Sequence, residues 1–222
     1  MGRVRRAIMR ALGVVVLAVG LSALGGASAS ARYVTGAALL DWCRDDGNTF
    51  CPGYLEAMAD YQSMLQSLDT PTRRFCLPSN VKAAVLREVV LEDLGGQSPD
   101  ALKALAPTVM IAALARRFPA PANGADCPRR AAAYMSGNEL IAWCQDDTSR
   151  VCEGYLAGVV DYQDELQRLD VATPRFCLPE DTRLWDIHRL ALDRLRANPP
   201  SEREKLAASL VVPGLIRRFP CR

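Results

Sequence analysis

Apolar residues recur along this chain at alternating steps of three and four, the spacing that lines one side of an α-helix. The clearest run is Tyr54, Met58, Tyr61, Leu65 and Leu68, answered further on by Tyr155, Val159, Tyr162, Leu166 and Leu169. The first predicts a helix from Gly53 to Leu68, roughly 24 Å long, long enough to be the central packing element of its unit. Ahead of it, Leu39, Leu40, Trp42 and Cys43 mark a short helix, and in the second run Ser136-Gly137-Asn138-Glu139 is the signature of a capping box at the same place. Trp42 and Trp143 close these short helices and are expected in the core.

Leu77-Pro78 and Leu178-Pro179 break the chain before a third helix, expected over about 80–94 and 181–195. Gly95-Gly96 stops the first of these and Asn198-Pro199-Pro200 the second. A fourth helix follows from Ser98-Pro99 in one case and from a second capping box, Ser201 to Glu204, in the other. Both end at Arg-Arg-Phe-Pro. Pro107 and Pro213 fall inside these fourth helices and predict kinks where the two runs superpose worst. Strand-like alternation nowhere rises above the helical pattern, so the expected class is all-α.

The order of elements occurs twice. Cys51-Pro52-Gly53-Tyr54-Leu55 through Phe75-Cys76-Leu77-Pro78 returns as Cys152-Glu153-Gly154-Tyr155-Leu156 through Phe176-Cys177-Leu178-Pro179, each residue 101 positions later. A period of this size is a small domain, and the chain reads as two tandem four-helix units over 32–119 and 134–222. Between them, 120–133 is rich in Ala, Pro, Gly and Asn and forms the linker. Residues 1–31 belong to neither unit. Arg3, Arg5, Arg6 and Arg10, the apolar run from Ala11 to Leu24 and Ala29-Ser30-Ala31 fit a cleaved secretory leader.

Removal of that leader changes the charge picture. The full chain carries 27 Lys and Arg against 25 Asp and Glu, a net charge of +2; without its four leader arginines the mature part falls to about −2. Such a surface does not neutralise phosphates, which argues against nucleic acid as a partner. All eight cysteines remain after cleavage, and an even number in an exported chain points to disulfides. Four per unit permit three connectivities. Cys43 and Cys51 flank a short polar loop, as do Cys144 and Cys152, and antiparallel third and fourth helices would bring Cys76 to Cys127 and Cys177 to Cys221. Zinc is the rival use, but no Cys-x2-Cys element is present.

Catalytic chemistry finds little support. His188 is the single histidine and its counterpart is Arg87, so one repeat lacks a His-based arrangement altogether. Asp45-Asp46 and Asp146-Asp147 recur, yet the ligand spacing of a calcium loop is absent and Gly47 becomes Thr148; solvated loop residues are the reading. Asp60, in the mid-helix triplet Asp60-Tyr61-Gln62 that recurs as Asp161-Tyr162-Gln163, reads as a solvated or tyrosine-bonded structural residue. Neither a cofactor nor a resident metal is expected, and the chain reads as a binder and not an enzyme. The exposed turns are the candidate partner-binding positions: Asp45 and Asp46, Gly95 and Gly96, Asp146 and Asp147, Asn198 and Pro199.

Taken together, Gly-x-x-Leu-Leu-x-Trp-Cys, Cys-x-Gly-Tyr-Leu, Phe-Cys-Leu-Pro and the closing Phe-Pro-Cys resemble the Rap/Tai immunity proteins of bacterial type VI secretion. The second unit fits best, with Gly154-Tyr155-Leu156-Ala157-Gly158, Phe176-Cys177-Leu178-Pro179, Asn198-Pro199 and Phe219-Pro220-Cys221. The first departs at Ala57, where the pattern has glycine, and at its displaced fourth cysteine, Cys127. The resemblance implies a periplasmic protein that binds and occludes a secreted peptidoglycan hydrolase of amidase type, in which the tandem forms a pseudo-dimer within one chain and no membrane is engaged after leader cleavage. The alternative is a periplasmic envelope-stress chaperone or assembly module without a toxin partner.

Overall fold

A computed structural model of the chain describes residues 34–68, 74–78, 80–121, 134–146, 148–170 and 175–221. The leader, most of the 120–133 linker with Cys127, and Asp147 lie outside the described residues. Among the described residues, eight α-helices form two sets of four: α1 Gly36–Arg44, α2 Phe50–Ser67, α3 Ala83–Gly95 and α4 Ala106–Arg117, then α5 Gly137–Cys144, α6 Val151–Arg168, α7 Leu184–Arg196 and α8 Ala207–Arg218. Among the described residues there is no strand beyond isolated bridges, and the all-α tandem architecture holds.

Local chemistry sets the helix ends. Thr35 Oγ accepts from Ala38 N at 3.2 Å and starts α1. At α5 the capping box forms as the sequence predicts, Ser136 Oγ accepting from Glu139 N and Glu139 Oε2 accepting from Ser136 N at 2.8 Å. The third helices begin three residues later than expected, because Pro78 and Pro179 carbonyls first accept from Val81 N and Thr182 N in a turn. The fourth helices also start late. Ser98 Oγ accepts from Ala101 N, but the turn it opens is a 3-10 segment, Ala101–Lys103, ahead of α4. Its counterpart is Glu202–Glu204, where the Ser201 side chain caps nothing and the second expected capping box does not form. This delay moves Pro107 into the first turn of α4, where its missing N–H leaves no intrahelical bond unmade. Pro213 alone sits inside its helix.

The two central helices carry the architecture. Thirteen of the eighteen residues of α2 and fourteen of the eighteen of α6 are buried, including most positions off the predicted apolar stripe. The reason is that α2 and α6 pack against each other, so each has its own repeat on one side and the other repeat on the opposite side. Gly53 and Gly154 set the approach. A Cβ on Gly53 would lie 2.2 Å from the Val151 carbonyl oxygen, and one on Gly154 would lie 2.2 Å from that of Phe50. Gly158 faces the Tyr54 carbonyl and Ala57 Cβ, so the departure of Ala57 from the family glycine is accommodated by its neighbour having no side chain. The order of these pairs, together with Tyr61 against Gln163 and Tyr162 against Gln62, shows that the two helices run in the same direction. The pseudo-dimer is therefore a parallel helix pair with backbones in near contact.

Disulfides staple the outer helices onto this pair. Cys43–Cys51 and Cys144–Cys152 bring Cα atoms to 5.2 and 4.9 Å, and Cys177–Cys221 to 4.9 Å. Cys76 is also disulfide-bonded; the expected mate, Cys127, lies outside the described residues. At the same corner Cys76 N donates to the Phe118 carbonyl and Cys177 N to that of Phe219, fixing the end of α4 or α8 against the segment before α3 or α7.

Substituting Gly154→Ala forces a methyl group into a carbonyl oxygen that has no flexible atoms to displace. We expect a loss of about 3 kcal/mol in denaturant unfolding, and a single cooperative transition for both repeats in wild type. Two separate transitions would show that the α2–α6 contact is not the folding nucleus of one unit.

Candidate functional site

The recurring Asp-Tyr-Gln triplets of the central helices lie at the joint between the repeats. Asp60 accepts from Tyr134 N at 2.9 Å, Met135 N at 3.0 Å and the Tyr155 hydroxyl at 3.1 Å, all from the second repeat. Asp161 returns the arrangement, accepting from Val34 N and the Tyr54 hydroxyl, each at 3.0 Å. Tyr61 donates to Gln163 Oε1 and Tyr162 to Gln62 Oε1, with the two tyrosine rings edge to face at 5.8 Å. A buried carboxylate costs several kcal/mol unless it is hydrogen-bonded, and here backbone N–H groups and phenols supply those bonds across the joint. Of the two expected roles for Asp60 the structure has the tyrosine-bonded one and not the solvated one, since the carboxylate is fully buried and its phenol partner comes from the other repeat. Tyr54 and Tyr155 titrate far above the ordinary phenol range, first through burial and then through the adjacent carboxylates Asp161 and Asp60. These groups are occupied in holding the two repeats together.

One acid at the joint has no twin. Glu56, whose counterpart is Ala157, is half-buried on α2. Burial, then the charges of Asp60 and Glu139, push its carboxyl up to about 8.

The sequence-predicted contact turns fall into two sets. Asp45 and Asp146 shape the turns before α2 and α6: Asp45 Oδ1 accepts from Gly47 N at 2.9 Å, and Asp146 Oδ1 accepts from Thr148 N at 2.9 Å and Thr148 Oγ1 at 2.6 Å. The Thr148 hydroxyl and N–H hold the Asp146 carboxyl below its usual range. Asp46 pairs with Arg87 at 2.5 Å. Because α2 and α6 are parallel and touch at their starts, where Arg150 N donates to Thr49 Oγ1 at 2.7 Å, both turns lie at one end of the molecule. Gly95 and Gly96 close α3, with Gly96 at an ordinary φ of −88°. Asn198 Nδ2 donates to the Arg194 carbonyl at 2.8 Å, and the Pro199 carbonyl accepts from Glu202 N at 3.0 Å. These turns serve the ends of their own helices.

At the same end the structure corrects one expectation. Trp42 is half-buried, but Trp143 is 40 % exposed. Trp42 lies 4.4 Å from the Phe50 ring, and the Arg150 guanidinium stands 5.0 Å over Phe50 and 5.9 Å over Trp42. In the second repeat the positions of Phe50 and Arg150 fall to Val151 and Thr49, so Trp143 has no such cover. Trp185 on α7 is 61 % exposed, and its ring lies 5.5 Å from that of His188. His188 Nε2 stands 3.1 Å from the Cys144 carbonyl, the place where Arg87 donates to the Cys43 carbonyl at 2.7 Å in the first repeat. Both side chains tie α3 or α7 to the end of the preceding short helix, which is the role that a His–Arg exchange between repeats permits. Sequence reasoning missed Trp185; its replacement of an exposed alanine, Ala84, was the available signal. Ligand atoms of Cys144, Cys152 and His188 lie within 4.8 Å of one another, but both sulfurs are held in the disulfide and no thiolate remains to bind a cation.

The second repeat also contains an open cavity of about 910 Å³ between Leu178–Thr182, α7 and the end of α8. Asp186, Arg189, Asp193 and Arg218 surround an apolar floor of Leu190 and Phe219. Arg183, bonded at 3.1 Å, holds the Asp186 carboxyl below its usual range, so this acid is a fixed anion and not a proton donor. The matching depression beside α3 and α4 measures about 170 Å³ and is crossed by an Arg116–Asp93 pair at 3.2 Å.

No described helix is long and apolar enough to cross a membrane. The family model for the Rap1a immunity proteins matches the chain twice, over residues 35–120 and 136–221. No curated protein and no solved structure matches it.

Glu56 makes stability depend on pH. Its carboxyl titrates near 8 in the folded chain and near 4.3 when unfolded, so folding takes up a proton between these values. The stabilisation is complete below the lower value and lost as pH rises through the upper one. Urea unfolding from pH 5 to pH 8.5 should show wild type weakening with rising pH and Glu56→Gln flattening that slope, leaving the variant the more stable at the alkaline end.

Proposed function

The chain belongs to the family of Rap1a immunity proteins, one match per repeat, and from this we propose that it is exported by its cleaved leader into the periplasm and there blocks a peptidoglycan-degrading toxin of amidase type. The double match across both repeats is the observation that carries this reading. An immunity protein acts by covering its toxin, and the geometry suits that task. Asp60, Asp161, Tyr54 and Tyr155 are engaged across the joint, and the Cys144–Cys152–His188 cluster is closed by a disulfide. The bridges suit an oxidising compartment.

Inhibition is then occlusion by a rigid surface. A contact of protease-inhibitor size buries on the order of 1,600 Å² in total, within reach of one end of the molecule. The rim of that contact is the pair of turns carrying Asp45 and Asp46, and Asp146 and Asp147, which share one end of the parallel helix pair. Gly95, Gly96, Asn198 and Pro199 mark further exposed turns available to a partner. Rim carboxylates of this kind act mainly on the rate of encounter.

The mature chain, titrated against periplasm-acting peptidoglycan amidase toxins, should abolish hydrolysis of purified peptidoglycan by its cognate enzyme at one chain per enzyme. In cells receiving that toxin in the periplasm, the full chain should restore growth and a leaderless form should not. Peptidoglycan cleavage by the chain itself, or undiminished toxin activity at excess chain, would refute the assignment.

A further inference from the structure

We propose that the energetic centre of the toxin contact lies in the second repeat alone, on the aromatic patch of Trp143 and Trp185 beside the Cys144–Cys152 bridge, while the first repeat serves as its scaffold. This rests on the immunity reading above and goes further, because neither the family match nor the repeat pattern distinguishes one copy from the other.

The asymmetry is built from single exchanges between otherwise matched positions. In the first repeat the tryptophan of the short helix lies under Phe50 and Arg150, the α3 position matching Trp185 is Ala84, and Arg87 ties down Asp46. Around the second repeat's tryptophan the corresponding places are taken by Val151 and, from across the joint, Thr49, and α7 carries Trp185 and His188. The result is two large rings open to solvent around one helix end: Trp143 precedes Cys144, His188 reaches the Cys144 carbonyl, and Trp185 lies against His188. Among the described residues the exposed large hydrophobics are Leu68, Trp143 and Trp185, so two of the three gather in this patch. The Trp185 ring is not needed by the fold there, since Ala84 occupies the same helix position in the first repeat without loss of the helix. Tryptophan is strongly enriched at binding hot spots. A ring already resting on a histidine, on helices stapled by a disulfide, loses little freedom when covered.

The occupant is the protein toxin, with an apolar slot for the rings. Asp146, whose N–H donates to the Trp143 carbonyl at 3.3 Å, places a carboxylate at the patch edge, which opposes an anionic lipid surface and suits a slot bordered by cationic groups. A second copy of this chain is the less fitting occupant, since the parallel α2–α6 pair already covers the shared face of the two repeats.

The test uses the full mature chain and the amidase that wild type inhibits, with affinity read by calorimetry and fold by circular dichroism. Trp143→Ala and Trp185→Ala should each weaken binding at least tenfold and together at least a hundredfold at unchanged helix content. Leu68→Ala, at the third exposed apolar position, should stay within threefold of wild type. Wild-type binding retained by the double variant would overturn the patch and leave the immunity reading standing. Wild type that binds no amidase would overturn both. Sedimentation showing a wild-type dimer that the double variant abolishes would assign the patch to a second copy and likewise overturn it.

Discussion

The fold depends on how closely α2 and α6 approach. With Gly53, Gly154 and Gly158 at the contact, carbonyl oxygens of one helix sit where a side chain of the other would begin. Such proximity brings Asp60 within reach of the backbone that opens the second repeat and Asp161 within reach of Val34. Each repeat thereby supplies the hydrogen-bond acceptor for the other's first residues, and each buries a carboxylate that would be costly without those donors. The joint is made of bonds that neither repeat can form alone.

A rigid joint has a functional consequence. It fixes the two turns before α2 and α6 at one end of the molecule, each shaped by an aspartate and each followed by a disulfide-held helix start. A protein that inhibits by covering its target gains from a surface that does not reorganise on contact. Symmetry alone would present that surface twice. The exchanges of Phe50 for Val151 and of Ala84 for Trp185 break the equivalence at the same end, closing one tryptophan under its neighbours and leaving two rings open in the other copy.

The same exchanges explain how residues with different chemistry fill matched roles. Arg87 and His188 both engage a carbonyl at the end of a short helix, which requires an N–H donor on a side chain of sufficient reach and nothing of catalysis. Gly47 and Thr148 both follow an aspartate that accepts from their backbone N–H, and Thr148 adds its hydroxyl. Groups that resemble active-site parts in isolation are in this chain the fasteners of turns and helix ends.

By itself the sequence determined the helical class, the two units and their family likeness, and the short-loop disulfides, because periodicity, duplication and local spacing are written in neighbouring residues. It also determined the Ser136–Glu139 cap, a bond between residues three apart. Only the tertiary structure decided what covers the second face of α2 and α6, since a stripe pattern records one packing partner and here there are two. The same holds for Trp143: a tryptophan at the end of an amphipathic helix reads as core, and whether it is covered depended on Phe50 and Arg150, residues whose counterparts lie a full repeat away in the chain. The starts of α4 and α8 belong to the same group, because the backbone bonds of Ala106 N to Val34 O and Ala207 N to Met135 O, made across each repeat, set where the helix begins in place of the local caps.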